Sequence, residues 1–337
     1  MPDFDIYEFK NNFDVYKDVP SKLVVNKNKK DSPFFTVFMP TYKRASTFET
    51  AFGSVLDQKD FDDFEILVIN NLEENEENSI REIMEKTESD RLRYYVNEKN
   101  IGMCGNWNRG VELAKGKYIV MLHDDDILSP YALSSIKKMI EKTGMPGVVT
   151  LDYVTFDSRH MPVFEKPEKL KYNEVTKEML FFDYPVKIAG VAFKRETALK
   201  IGGFADELYP NEDAIFMYQN LLLGEKYISI RHVLAGYRIE VNASLTGDTL
   251  QKTILYTEQT RRSIAKHEKF AQKWMKLFDD TFLYLYIKGA NKYWKTNVDY
   301  REILRMAGFE KDTVNSVKLF VMKVLLRLRM LCDIQKE

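Results

Sequence analysis

Three acids in a row, Asp124-Asp125-Asp126, follow the apolar run at residues 118–122 after a single histidine, His123. Adjacent carboxylates repel one another strongly unless a cation neutralises them. Oxygen ligands suit Mg2+ or Mn2+, which keep several waters and bind through one or two carboxylates plus substrate phosphates. The competing reading is an acidic turn, because Asp also caps helices well. A second acidic segment, Asn211-Glu212-Asp213, precedes the apolar residues Ile215, Phe216 and Tyr218. A carboxylate there serves either as a general base or as a favourable charge at a helix N-terminus. A third segment, Pro40-Thr41-Tyr42-Lys43-Arg44, ends the first apolar run and brings two cations.

To act together, these segments must share one edge of a scaffold. From Phe34 onward, short apolar runs alternate with stretches of helical period. Runs at 34–39, 65–69, 92–96 and 118–122 are followed by helices near 47–57, 74–87, 104–115 and 130–142. Ser46 and Glu49 have capping-box spacing, with Phe48, Phe52, Val55 and Leu56 then on one face. Ser129-Pro130 offers an N-cap before a proline at the first helical position. The alternation predicts an α/β fold with a mostly parallel sheet covered on both faces. Ligands of such sheets bind beyond the carboxyl ends of the strands. Those ends fall at residues 40–44, at Asn70-Asn71 and at 123–126, so all three are expected along one edge. Strand-like runs continue at 148–155, 188–193 and 227–230, and beyond about residue 250 the chain reads as helical.

Taken in order, four segments resemble the family 2 glycosyltransferases, inverting enzymes with the GT-A (nucleotide-diphospho-sugar transferase) fold. They are Pro40-Thr41-Tyr42-Lys43-Arg44; Asn100-Ile101-Gly102 with Gly105-Asn106-Trp107-Asn108-Arg109-Gly110; Ala114-Lys115-Gly116-Lys117-Tyr118; and Leu122-His123-Asp124-Asp125-Asp126. The resemblance covers roughly residues 34–240. It implies that Asp126 and Asp124 hold a divalent metal, Mn2+ or Mg2+, on the donor diphosphate. Asp126 is expected to bind it directly, with Asp124 nearer the ribose and the metal's waters and Asp125 on the donor beside them. Pro40, Thr41 and Tyr42 match the loop that lies against the nucleoside, and Arg44 either faces the donor or caps a helix. Family members carry Asp at the end of the second strand, where it reads the base. This chain has Asn70, whose amide both accepts and donates; a UDP-sugar is the favoured donor, with other bases left open.

Downstream, Gly202-Gly203-Phe204-Ala205-Asp206-Glu207 followed by Asn211-Glu212-Asp213 resembles the family's Gly-Gly-Phe stretch and Glu-Asp motif. That implies Asp213 as the catalytic base, taking a proton from the acceptor hydroxyl, and Glu212 as an acceptor-binding residue. Tyr237-Arg238 matches a further motif, so Arg238 is expected on the diphosphate through a forked pair of hydrogen bonds. Glu240 stands where many members have His. His123 reads either as an outer group of the metal site or as a packed histidine, and His232 as a strand-end residue. Trp107, with Val111 and Ala114 at +4 and +7, reads as core, and Cys104 as a small packed residue.

The expected organisation is an N-terminal extension (1–33), a GT-A catalytic domain (34–245) and a helical C-terminal appendage (246–337). The expected reaction moves a sugar from a nucleoside diphosphate sugar to a hydroxyl of a glycan or lipid-linked acceptor, as in assembly of bacterial surface polysaccharide. Two rivals remain. A sugar-1-phosphate nucleotidyltransferase is disfavoured because residues 40–44 lack glycine; the other is a nucleotide- or glycan-binding relative without turnover. A net charge of −1 offers nothing to nucleic acid. Two distant cysteines, no basic-then-apolar leader and no span of about 18 apolar residues lead to the expectation of a cytoplasmic protein with reduced thiols. Residues 314–332 carry Lys318, Lys323, Arg327 and Arg329 and no acid. That stretch reads either as a helix lying on the anionic inner face of the plasma membrane or as one packed on the catalytic domain or on a second subunit of a homo-oligomer.

Overall fold

The computed structural model describes residues 3–72, 79–182, 186–240, 247–294, 296–310 and 314–334. The first half runs β1 (Ser21–Asn26), β2 (Phe35–Thr41), α1 (Ala45–Leu56), β3 (Phe64–Asn70), α2 (Ser79–Lys86), β4 (Leu92–Asn97), α3 (Gly102–Leu113), β5 (Tyr118–Met121), β6 (Ile127–Leu128) and α4 (Ala132–Lys142). Next come β7 (Val148–Phe156), β8 (Tyr172–Val175), α5 (Lys177–Phe181), β9 (Val191–Lys194), α6 (Arg195–Ile201), α7 (Glu212–Leu222) and β10 (Tyr227–Arg238). Four helices follow: α8 (Gly247–His267), α9 (Lys269–Trp294), α10 (Tyr300–Met306) and α11 (Ser316–Ile334).

Two helix starts differ from expectation. α1 begins at Ala45 with no side-chain cap, so Ser46 and Glu49 form no capping box. α4 begins at Ala132, and Ser129 Oγ instead accepts the Tyr131 N–H at 3.3 Å in the turn before it. The first residues of the helix expected at 74–87, and the expected boundary at 245, lie outside the described residues.

All the strands join one sheet in the order β1-β4-β3-β2-β5-β9-β7-β10-β6, with β8 alongside β10. β4, β3, β2 and β5 are parallel, as are β7 and β10. The slot beside β5 is filled by β9 running antiparallel to both β5 and β7, and β1, β6 and β8 are antiparallel too. The sheet is therefore mixed rather than mostly parallel. β5 leads into the acid loop and short β6, not into a covering helix and a further parallel neighbour.

Alternate residues of the central strands feed two apolar layers, as the two-residue period of a strand requires. Val37 and Met39 meet Phe48 and Phe52 on one face, while Phe38 and Met121 meet Trp107 and Val111 on the other. Of the segment expected as an extension (1–33), the described residues 3–33 are built into this body. β1 pairs with β4 along the edge, and Ile6 is buried with its N–H donated to Ser263 Oγ at 3.0 Å. The C-terminal helices are likewise not separate: Ile264, Met275 and Phe282 share a cluster with Phe181, Ile215 and Tyr218. No described helix is long and apolar enough to cross a membrane.

Candidate active site

The strand ends open into a cavity of about 840 Å³. Pro40, Thr41, Tyr42 and Arg44 after β2, Asn71 after β3, and His123, Asp124 and Asp125 after β5 line one side. Glu212 and Asp213, at the start of α7, line another. Thr253, Thr257 and Arg261 of α8 and Tyr286 of α9 close it, so the helical region forms a wall of the same cavity.

The acid loop is held from both sides. Asp124 Oδ2 accepts the Tyr42 N–H at 3.3 Å, which ties the loop to the turn after β2. The Arg44 guanidinium is hydrogen-bonded to Asp125 Oδ2 and lies 3.6 Å from Asp124 Oδ1. It faces the acids rather than capping α1. Asp126 is 1% exposed; its Oδ1 accepts the Arg238 N–H at 3.0 Å, and its Oδ2 has no hydrogen-bond partner among the described residues. Burial pushes the Asp124 carboxyl up to about 6. Burial and the neighbouring Asp125 charge hold Asp126 well above the usual carboxylate range.

Arg238 is turned into the protein. Its Nε donates to the Asp125 carbonyl at 3.0 Å, its terminal nitrogen reaches Glu240 Oε2 at 3.1 Å and Ser158 Oγ at 3.3 Å, and its plane lies over Phe156. The guanidinium thus braces the acid loop. Glu240, at the position expected for His, accepts from Arg238 and from the Ser158 N–H and hydroxyl.

Asn70 and Asn71 have different surroundings. Asn70 is interior: its amide donates to Tyr94 OH at 3.2 Å, and its oxygen accepts the Leu72 N–H. Its neighbour Asn71 lines the cavity, with its amide spent on Asn100, Gly102, Asn97 and Ile101. Asn97 also donates to Asn106, whose own amide reaches the Ile69 carbonyl. This asparagine cluster fixes the turn into α3 and places Asn100 and Asn106 on the cavity wall.

The Gly-Gly-Phe stretch sets the start of α7. Gly202 ends α6 with φ +94°, where a Cβ would lie 1.9 Å from the Lys10 carbonyl oxygen. Asn108 clamps Phe204 by accepting its N–H at 2.7 Å and donating to its carbonyl at 2.8 Å. In α7, Asp213 Oδ1 accepts the Ala214 N–H at 2.6 Å, while Glu212 is buried with Oε2 unpartnered among the described residues. Burial raises both carboxyls, and the Asp213 charge raises Glu212 further. Trp107 and Cys104 are packed in the core.

Residues 36–200 match the family model of Glycosyl transferase family 2. A GalNAc(5)-diNAcBac-PP-undecaprenol beta-1,3-glucosyltransferase of Campylobacter jejuni is 28% identical over 217 residues, covering 64% of this chain and 67% of that one. Residues 36–200 thus form a glycosyltransferase family 2 domain. Solved structures share the GT-A fold of this glycosyltransferase. TarS of S. aureus (residues 1–349) in complex with UDP-GlcNAc matches with a TM-score of 0.57 at 16% identity, over 77% of this chain and 73% of that one. The mannosyltransferase PcManGT of Pyrobaculum calidifontis, in complex with GDP-Man and Mn2+, matches with a TM-score of 0.55 at 16% identity, over 94% and 86%.

The residues of this glycosyltransferase fit a divalent cation. His123, Asp125 and Asp126 present ligand-capable atoms that all lie within 4.8 Å of one another. The unpartnered Asp126 Oδ2 is the kind of buried atom that such an ion satisfies. Sequence reasoning paired Asp124 with Asp126; the structure sets His123 beside Asp125 and Asp126 and turns Asp124 towards Tyr42.

Proposed function

We propose that this enzyme transfers a sugar, with inversion, from a nucleoside diphosphate sugar to a hydroxyl of a glycan or lipid-linked acceptor in surface-polysaccharide assembly. The observation that carries the reading is that the acid loop and Asp213 open into one cavity from different elements. One side suits a diphosphate held on a cation, and the other suits an acceptor hydroxyl. UDP-sugars stand first among donors, given the UDP-GlcNAc in TarS, with GDP-sugars next, given the GDP-Man in PcManGT. The C. jejuni relative's name supports a polyprenyl diphosphate-linked acceptor.

Asp125 and Asp126 hold the cation, which when bound offsets the charge growing on the departing diphosphate. Arg238 fixes the loop's backbone, and Arg44 balances its carboxylates until the donor arrives. Thr41 and Tyr42 lie against the nucleoside. The Asp213 carboxylate takes the acceptor's proton as that oxygen attacks the anomeric carbon; the bond from that carbon to the diphosphate oxygen breaks, and a nucleoside diphosphate leaves. Glu212 lies on the acceptor side of the cleft. α11 rests on the membrane that carries the acceptor.

A panel of nucleotide sugars, each with and without Mn2+, is screened for a rise in melting temperature, since ligands that bind the folded state stabilise it. The best donor is then incubated with lipid-linked acceptors. The expected result is a Mn2+-dependent rise and release of nucleoside diphosphate. Asp213→Asn keeps the rise and loses the release. Pyrophosphate as product, or an unchanged rate in Asp213→Asn, removes this reading.

A further inference from the structure

We propose that His123 is a nitrogen ligand of the divalent cation, which makes the site a His-Asp-Asp centre that favours Mn2+ over Mg2+. The inference rests on the metal-dependent reading above and goes beyond it by naming the donor atoms and the ion they select.

The turn after β5 creates the arrangement. The Asp126 N–H donates to the His123 carbonyl at 3.3 Å, which folds residues 123–126 back on themselves and sets the first side chain beside the last. His123 Nδ1 then lies 3.9 Å from Asp126 Oδ2. That separation is too long for a hydrogen bond. It falls between the roughly 3.0 Å of adjacent ligands and the roughly 4.2 Å of opposed ligands that bonds of about 2.1 Å to one ion give.

The surrounding contacts fix both groups and leave their facing atoms unused. The His123 ring stacks on Trp107 with centroids 5.4 Å apart and planes 17° apart, and Trp107 is wedged edge-on against Phe204. Asp126 is anchored through its other oxygen by the Arg238 N–H. Asp126 Oδ2, the atom that His123 Nδ1 faces, is buried without a hydrogen-bond partner among the described residues, and so is Nε2 on the other side of the ring. A histidine kept for packing would be expected to have its ring nitrogens satisfied. Asp125 lies across from them and lines the cavity with His123, so the centre opens towards a bound diphosphate.

The choice of ion follows from the donor set. Mg2+ dehydrates reluctantly and takes oxygen ligands almost exclusively, whereas imidazole suits first-row transition ions. A nitrogen in the set therefore penalises Mg2+ relative to Mn2+.

The test is pulsed electron paramagnetic resonance of Mn2+ bound to the full-length protein with UDP or GDP present. Protein grown with ordinary histidine is compared with protein grown with 15N-histidine, which separates ring nitrogen from the nucleotide's own nitrogens. The expected result is a nitrogen modulation on bound Mn2+ that changes with the isotope and vanishes in His123→Asp while Mn2+ still binds. In that variant the ratio of Mn2+ to Mg2+ affinity falls by about tenfold or more, the scale on which even outer partners of metal ligands act. Bound Mn2+ without histidine coupling in the wild-type protein overturns this inference and leaves the metal-dependent reading standing. Absence of Mn2+ binding overturns both, and the wild-type spectrum decides the matter even if the variant fails to fold.

Discussion

Asn211 Nδ2 donates to Thr257 Oγ1 at 2.8 Å, and Thr257 in turn reaches Tyr286 OH at 3.4 Å. The residue before the Glu212-Asp213 pair is thereby suspended from α8 and α9, and the helical region becomes part of the machinery that positions the proposed base. Thr257→Val keeps the shape and removes the acceptor of this bond, leaving a buried amide N–H that costs about 1–3 kcal/mol. The expected outcome is a lower melting temperature and slower transfer to acceptor, with the donor-induced rise in melting temperature retained. Calorimetric melting and initial rates check this; if neither moves, α8 only flanks the cleft.

Asp213 gives a pH signature. Burial raises its carboxyl to about 6, and a base works only when deprotonated. kcat/KM should therefore climb with pH through about 6 and level off above it, whereas an ordinary Asp would level off near pH 5. Stability runs the other way. The folded state binds this proton more tightly than the unfolded chain does. Its contribution is therefore fully present below about pH 4 and is lost as pH rises through about 6. Asp213→Asn should flatten that part of the stability profile between pH 4 and 7 as well as abolishing transfer. A rate profile already level at pH 5 would contradict the role.

The central strands were legible because β2 and β3 are buried along their whole length and read as apolar runs. β1 was not: it lies at the sheet edge, only Val25 of its six residues is buried, and its composition is that of a linker. The antiparallel β9 could not be placed, since a run of four residues carries no direction in its pattern. At the site, the acid triplet drew attention to alternate carboxylates. Only the 123–126 turn reveals that the first and last positions stand side by side and that Asp124 points elsewhere. The signal that was present is a histidine three residues before Asp126, a spacing that one tight turn brings together. Arg238 shows the converse: a pattern of residue types marks it as important without showing that its fork faces inward.

Because Arg238 supports the loop through several bonds at once, Arg238→Lys is a severe change despite keeping the charge. Lysine lacks the planar fork that reaches the Asp125 carbonyl, Ser158 and Glu240 together. Outer-sphere partners of metal ligands are commonly worth 10–100-fold in affinity or activity. A weakening of Mn2+ binding of about tenfold or more is expected, with a smaller loss in nucleotide affinity measured without metal. Isothermal titration of Mn2+ and of nucleotide separates the two. An equal loss in both would instead place Arg238 on the diphosphate.

α11 offers the last prediction. Met322 is buried against the body, while Val317 and Phe320 are each 68% exposed and Val321, Val324 and Leu325 are exposed with them. These five positions follow the 3-and-4 spacing of one helical face. Lys318 and Lys323 lie on the same helix, which carries no acid before Asp333. An apolar face accompanied by cations matches the chemistry of an anionic lipid surface. The full-length protein should bind vesicles containing anionic lipid and not purely zwitterionic ones. Phe320→Glu should abolish that binding, and Lys323→Gln should weaken it about fivefold, the equivalent of roughly 1 kcal/mol per cation near the surface. Both variants should keep the donor-induced rise in melting temperature. Sedimentation as a dimer that Phe320→Glu dissociates, with no vesicle binding, would assign the stripe to a second copy of the chain instead.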